Sequence, residues 1–151
     1  SAASDVYKRQ VYGPYGRPDM ALHIFTKAAL QSKNIDLYNR GDHIRDWTYI
    51  DDVVLPIIKL INKPPKEKIP YICFNLGSDR PKKLTYFIKN IEKTLNLKIK
   101  TKLFPLQKGD VRKTHANMKL LSKYIKYKST VKMEEGIVKF VSWFKNYYRS
   151  K

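Results

Sequence analysis

The sequence predicts an α/β fold. Stretches in which apolar residues recur at helical spacing alternate with short stretches of strand pattern, and hydrophobic residues make up 42% of the chain, a globular proportion. No apolar run approaches the roughly 18 residues that a membrane-spanning helix needs. The sequence shows no internal repeats and no low-complexity tracts.

The elements follow in order. A Gly- and Pro-rich turn occupies 11–20, and Leu22, Phe25, Ala29 and Leu30 then place a helix between Met20 and Lys33. Asn34 ends it. Ile35-Asp36-Leu37-Tyr38 alternates as a short strand, and Asn39-Arg40-Gly41-Asp42 is a turn. Residues 45–49 are extended. Asp51 and Asp52 suit the positive N-terminus of the next helix, in which Pro56 falls early, where a missing amide costs least. Residues 63–70, with three prolines and alternating charge, read as a surface loop.

Ile72-Cys73-Phe74-Asn75-Leu76 is apolar except at Asn75, the pattern of a strand buried on both faces. Cys73 is expected there as a packed core thiol, and Gly77 ends the run. Leu84, Phe87, Ile88, Ile91 and Leu95 mark an amphipathic helix, residues 98–104 a half-exposed strand, and 117–125 a short helix. A longer helix over 134–148 carries Ile137, Phe140, Val141, Phe144 and Tyr148 on one face. Thr130 is its candidate cap, and Glu134 and Glu135 suit its first turn.

The formal charge is +18, which raises a nucleic-acid-binding reading. Yet 24 of the 31 basic residues are Lys, scattered among many Ile, Asn and Tyr. They read as a solvated surface that also attracts anionic substrates. No stacking platform or recognition helix stands out for a basic nucleic-acid-binding module. The single cysteine excludes an internal disulfide framework and fits a reducing cytoplasm. His23, His43 and His115 lack ligand spacing to one another or to Cys73, so no metal site is expected.

Five segments stand in a telling order: VYGPYGRPDM (11–20), NRGDHIRDWTYIDDV (39–53), FNLGS (74–78), PLQKGDV (105–111) and MEEGIVKFVSWFKNYY (133–148). Together they resemble the UDP-glucuronate 4-epimerases, extended short-chain dehydrogenase/reductases of the NAD-dependent epimerase/dehydratase family. GRPDM and Gln107 carry the narrower resemblance, since UDP-galactose epimerases commonly have an arginine at the Gln107 position. The resemblance implies the C-terminal substrate-binding part of a Rossmann-type enzyme with the dinucleotide-binding region missing. It implies a cytoplasmic parent, a homodimer, that uses bound NAD to oxidise and re-reduce C4 of a UDP-sugar. Another NAD-dependent nucleotide-sugar epimerase or dehydratase is the nearest alternative.

On this resemblance the substrate-binding residues are Arg17, Asp36, Leu37, Tyr38, Arg45 and Asp110. Arg45 occupies the place of the arginine that contacts the UDP diphosphate, where a fixed, always-charged donor fork suits a low-dielectric cleft. Its other reading is a surface ion pair with Asp42 or Asp46. Asp36, Leu37 and Tyr38 match the strand that lies along uracil and ribose, or form an ordinary strand. Asp110 matches a ribose- or phosphate-side contact, or a plain Gly-Asp turn.

Arg17 is implied beside the hexuronate carboxylate. Oxidation at C4 makes a β-keto acid, and an ionic contact holding the carboxylate in the plane of the new carbonyl withholds the alignment that decarboxylation needs. The other reading is a structural arginine bridging the turn. The residue before Val11, a Thr or similar in the family, is Gln10 here, so its contact is expected to be missing.

The family's acid-base pair and dinucleotide loop are not found. None of the six glycines stands in a GxGxxG or GxxGxxG spacing. Tyr-x-x-x-Lys occurs at Tyr124/Lys128 and Tyr147/Lys151, but both lie downstream of the VYGP turn, whereas the family pair lies upstream. The chain is therefore expected to be inactive alone, without NAD affinity, and of low stability with Ile72, Phe74 and Leu76 as an unpaired apolar edge. Ser1 to Gln10 reads codon by codon as the translation of a transposase sequencing adaptor. It is expected to be a non-native scar without structural contribution, leaving 11–151 as the sugar-nucleotide-binding portion.

Overall fold

The computed structural model describes residues 10–66 and 71–149. The expectations for residues 1–9 and for 67–70 of the predicted loop lie outside the described residues. Strand β1 (Val11–Tyr12) leads through the Gly-Pro turn into helix α1 (Ala21–Leu30). Strand β2 (Ile35–Leu37), a 3₁₀ turn (Tyr38–Gly41), β3 (Ile44–Arg45), β4 (Thr48–Tyr49) and helix α2 (Asp51–Ile61) follow. Then come β5 (Lys82–Lys83), α3 (Leu84–Leu95), β6 (Thr101–Leu103), α4 (Lys119–Ile125) and α5 (Met133–Arg149). The predicted helices are present, as are strands within 35–38 and 98–104, but β6 is exposed at all three residues and not half-exposed, because its far face is covered by no described element.

The strands form three separate two-stranded ladders. β1 runs parallel to β4 with Val11 opposite Thr48, β2 parallel to β6 with Ile35 opposite Thr101, and β3 antiparallel to β5 with Arg45 opposite Lys82. The main core lies between these ladders and helices α1, α3 and α5. Trp47 stacks on Phe87 with centroids 4.0 Å apart, while Phe87, Ile91, Ile137 and Phe140 are fully enclosed. Helix α3 ends where Asn96 takes the left-handed conformation and returns its amide to the Glu92 carbonyl. Gly136 sits where α5 crosses β1 and β4. A Cβ built there would lie 2.6 Å from Tyr12 Oη and 2.8 Å from Tyr49 Cδ2.

A second cluster joins Met118, Leu121, Ile125 and Tyr127 to Phe74, Leu76 and Leu60. It explains the main departure from the sequence reading. Residues 72–76 form no strand: they run extended without a ladder, and burial alternates. Ile72, Phe74 and Leu76 are half-buried, while Tyr71, Cys73 and Asn75 face outward, so Cys73 is an exposed thiol and not a core one. The side-chain period of two persists, but no described strand lies alongside to pair its backbone.

Two buried carboxylates tie distant segments together. Asp52, fully enclosed at the start of α2, accepts from Tyr127 Oη and Ser129 Oγ (each 2.6 Å) and from the amides of Thr130 (2.9 Å) and Val131 (3.1 Å). The Thr130 hydroxyl also points to Asp52, at 3.4 Å, and α5 begins only at Met133, so Thr130 serves Asp52 and not the helix cap. Burial pushes the Asp52 carboxyl up. The hydrogen bonds from Ser129, Tyr127 and the two amides outweigh this and hold it below the usual carboxylate range. No helix among the described residues is long and apolar enough to cross a membrane.

Replacing Asp52 by Ala strands three hydroxyls and two amides, and the expected loss is about 3–5 kcal/mol in chemical denaturation. Because the folded carboxyl titrates below its unfolded value of about 3.9, this stabilisation is present above that pH. It is lost as pH falls through the depressed folded value, and acid titrations of wild type and Asp52→Ala should converge there.

Gly136→Ala tests the helix crossing. Alanine ordinarily improves a helix interior by about 1 kcal/mol, but overpacking against two ring systems costs about 1–3 kcal/mol. A lowered melting temperature is expected; a raised one would show that α5 shifts away freely.

Candidate functional site

The predicted uracil-side strand, β2, keeps its alternation. Ile35 and Leu37 are buried and Asp36 is exposed. The chain continues along the segment after β6: the Phe104 amide donates to the Leu37 carbonyl (2.9 Å) and the Arg40 amide to the Phe104 carbonyl (3.0 Å). Tyr38, half-buried, lies beside Phe104 with centroids 5.5 Å apart. Asn39 and Arg40 both take positive φ, which turns the chain through the short 3₁₀ element into β3. The Asn39 side chain closes that turn on the Asp42 carbonyl (2.9 Å).

β3 is held on both sides. β5 pairs with one edge; on the other the Ile44 amide donates to the Arg112 carbonyl (3.0 Å), and its carbonyl accepts from the Thr114 amide (3.1 Å). Arg45 therefore starts from a fixed backbone. One terminal nitrogen of its guanidinium donates to the Ile44 carbonyl (3.2 Å) and the other to Asp110 Oδ1 (3.2 Å). Burial lowers the Arg45 pKa from its ordinary value and Asp110 opposes the shift.

Neither Asp42 nor Asp46, the partners of the alternative reading, takes up this arginine. Asp42 pairs with Lys83 at 2.9 Å. Asp46 points inward and accepts from the amides of Ser78 (3.0 Å) and Ala116 (2.9 Å) and from the Ser78 hydroxyl. Gly77 is required by this closure, because a Cβ there would meet Ala116 Cβ at 2.4 Å and Asp46 Oδ2 at 2.8 Å.

Asp110 follows Gly109, which has φ of +85°, in a turn where the Asp110 amide donates to the Gln107 carbonyl (3.1 Å). Its second oxygen lies 2.8 Å from Nε2 of His43, a buried side chain on the approach to β3. That distance is an ion-pair distance, but the angle falls outside hydrogen-bond geometry, and His43 Nε2 has no hydrogen-bond partner.

Arg45 and Asp110 are thus brought together, with β2 and Tyr38 on the same run of chain. Arg17 is not part of this group. β1 and β4 are parallel, Arg45 precedes β4 and Arg17 follows β1, so the two arginines leave opposite ends of one ladder. Arg17 is exposed and spans the GRPDM turn to Asp19, with Nε 3.0 Å from Oδ1. Gln10 departs from expectation. Its carbonyl accepts from the Thr48 amide (3.0 Å) and its side-chain oxygen from Thr114 Oγ1 (2.8 Å), so this residue does contribute to the structure.

A cleft of about 610 Å3 opens nearby, lined by Gln10, Asp46, Thr48, Asn75, Thr114 and His115 among others. It adjoins Asp110 through Val111 but includes none of Arg17, Arg45 or Asp110. His115 at its rim pairs with Asp79 at 2.6 Å. Tyr124 and Lys128 share no helix face, since α4 ends at Ile125 and the tyrosine hydroxyl bonds the Lys63 carbonyl (3.2 Å). Lys151 lies outside the described residues. Among the described residues no group of three or more His, Cys, Asp or Glu gathers to hold a metal. His43, Asp46 and Asp52 were missed as organising residues; their partners lie 32 to 79 positions away in sequence, and local pattern carries no such signal.

Residues 9–77 match the NAD dependent epimerase/dehydratase family. Over 134 residues the chain is 48% identical to an uncharacterized protein of Methanocaldococcus jannaschii, covering 89% of this chain and 40% of that protein. It is 40% identical over 151 residues to UDP-glucuronate 4-epimerase 5 of Arabidopsis thaliana, covering 91% and 35%. The solved UDP-glucuronic acid 4-epimerase of Bacillus cereus, in complex with UDP-glucuronic acid and NAD, superposes with a TM-score of 0.84 at 27% identity, covering 92% of this chain and 44% of that one. The chain thus spans less than half the length of these relatives. With its sequence segments and its fold agreeing over nine-tenths of its own length, the chain belongs to the NAD-dependent epimerase/dehydratase family.

Proposed function

We propose that this chain provides the UDP-sugar-holding part of a UDP-glucuronate 4-epimerase. The observation that supports this most is Arg45: a half-buried guanidinium on a strand braced from both sides, held by a single oxygen of Asp110. A diphosphate presents paired anionic oxygens, and a pre-positioned planar fork meets them with little reorganisation. Tyr38 offers a ring face and Asp36 an exposed carboxylate on the same run, suited to a base and a ribose.

NAD would supply the hydride acceptor for C4 chemistry. The chain's own residues do not fit that group, because none of its six glycines has the spacing of a dinucleotide-phosphate loop. The role left to these residues is binding and orientation. Arg45 grips the diphosphate, and Arg17 exchanges Asp19 for the substrate carboxylate and holds it in the plane of the C4 carbonyl, against decarboxylation. In this reading the whole protein is a cytoplasmic homodimer.

Isothermal titration of the chain with UDP, UDP-glucuronate and UDP-glucose tests the reading. Arg45→Ala is expected to weaken UDP about 10- to 100-fold, the loss of one or two charge-assisted hydrogen bonds. Arg45→Lys should recover little, since a point charge does not reproduce the fork. UDP-glucuronate should bind more tightly than UDP-glucose, and Arg17→Ala should remove that difference while leaving UDP affinity in place. Equal affinity for the two sugars in wild type would favour a different nucleotide-sugar epimerase or dehydratase.

A further inference from the structure

Resting on the reading of Arg45 as the diphosphate grip, we infer that His43 is a positioning residue that keeps this grip open. An isolated arginine and carboxylate favour the two-point, fork-to-fork arrangement, in which both carboxylate oxygens take both terminal nitrogens. Such a pair would turn the donors of Arg45 toward Asp110 and away from an incoming diphosphate. The pair here is one-point. Asp110 gives only Oδ1 to Arg45, at 3.2 Å, and its Oδ2 lies 2.8 Å from His43 Nε2. The other terminal nitrogen of Arg45 is on the Ile44 carbonyl instead.

A carboxylate oxygen and a bare ring nitrogen would repel at 2.8 Å, so this positioning role requires the ring to present Nε2 to Asp110 as its donor side. His43 is well placed to hold that position. It is 5% exposed, and its carbonyl accepts from the Leu84 amide at 2.8 Å, where β5 passes into α3. The next residue, Ile44, gives its amide to Arg112 and its carbonyl to Thr114, while β5 lies along the other edge of the strand. The backbone that carries the imidazole is thus anchored to the scaffold, whereas Asp110 sits on the turn at Gly109. Nε2 has no hydrogen-bond partner, so the contact with Asp110 is one of proximity at 2.8 Å, and a small rotation of the carboxylate would complete the bond. The division of Asp110 between an anchored donor and Arg45 stops the carboxylate from closing on the guanidinium with both oxygens.

The test is a double-mutant cycle on UDP affinity, read by isothermal titration of the full chain. His43→Ala is expected to weaken UDP about tenfold, a typical coupling for side chains in direct contact. In an Asp110→Asn background, where no carboxylate can close on Arg45, the same change should alter affinity less than about twofold. His43→Gln, whose side-chain amide keeps a donor, should retain most of the wild-type affinity. A merely structural histidine would instead lower affinity equally in both backgrounds, and that result overturns the inference. So does a His43→Ala chain that folds by thermal melt and binds UDP as wild type does. If the wild-type chain binds no UDP, the functional reading fails and this inference with it. If His43→Ala fails to melt cooperatively, the cycle is run with His43→Leu. If that variant folds and is as weak in both backgrounds, or as tight as wild type, the inference falls.

Discussion

The course of the loops around the Arg45 strand depends on burying two carboxylates, Asp46 and Asp52, one on each side of β4. Each is almost completely removed from water, a state that is unfavourable unless the charge is met by donors. Each is met by donors from segments far away in the chain: Ser78, Asp79 and Ala116 for Asp46, and residues 127–131 for Asp52. The requirement to satisfy the charges fixes where the loops after 76, after 113 and before α5 must run. A hydrophobic contact could hold the same segments near each other, but it would not set their direction to a hydrogen bond's tolerance. Through Thr114, which bonds both Ile44 and Gln10, the same network reaches the strand that carries Arg45.

That network compensates for a lack of continuous sheet. Three ladders of two or three residue pairs supply few backbone hydrogen bonds, and residues 71–80 have no ladder at all. The second apolar cluster receives Phe74 and Leu76 from one side of this extended run only. On α2, Val54, Leu55, Ile57, Ile58 and Ile61 are exposed, an apolar stripe that a small soluble unit seldom leaves open. The net charge of +18 acts against self-association through that stripe, since like-charged chains repel over about a Debye length of 8–10 Å. High salt weakens the repulsion while it strengthens apolar contact, so the charge and the stripe pull the chain's solubility in opposite directions.

Local pattern made most of the fold legible. The helices at 21–30, 84–95 and 133–149 carry their apolar stripes at helical spacing, and β2 alternates as written. Residues 72–76 misled because a continuous apolar run reports only that side chains want burial, and it does not say whether a neighbouring strand exists to complete the sheet. Thr130 misled for a related reason: its hydroxyl could serve the helix or a buried charge, and the charge, being the more costly to leave unmet, took it. The motif segments located the Arg45 and Asp110 positions, 65 residues apart, that the fold joins. Periodicity could not have done so, because neither residue lies on an apolar face. His43 was invisible for the same reason: one histidine in a turn region becomes informative only when its neighbour in space is known.

The fold and the site differ in how their polar groups are secured, and this separates stability from binding. Asp46 and Asp52 each have several donors, so the loss of one leaves the charge still met. Asp110 lies between the Arg45 guanidinium and the His43 ring and stands on a glycine turn, with Arg45 making two hydrogen bonds at 3.2 Å. Such an arrangement has little redundancy and contributes little to folding, because a partly exposed ion pair is worth at most about 1 kcal/mol. In the reading proposed above, a diphosphate would offer Arg45 more negative charge than Asp110 does. Substitutions at 46 and 52 should accordingly act on folding, and those at 43, 45 and 110 should change folding little. Arg45 can keep its position with so few side-chain bonds because the neighbouring backbone is held so firmly.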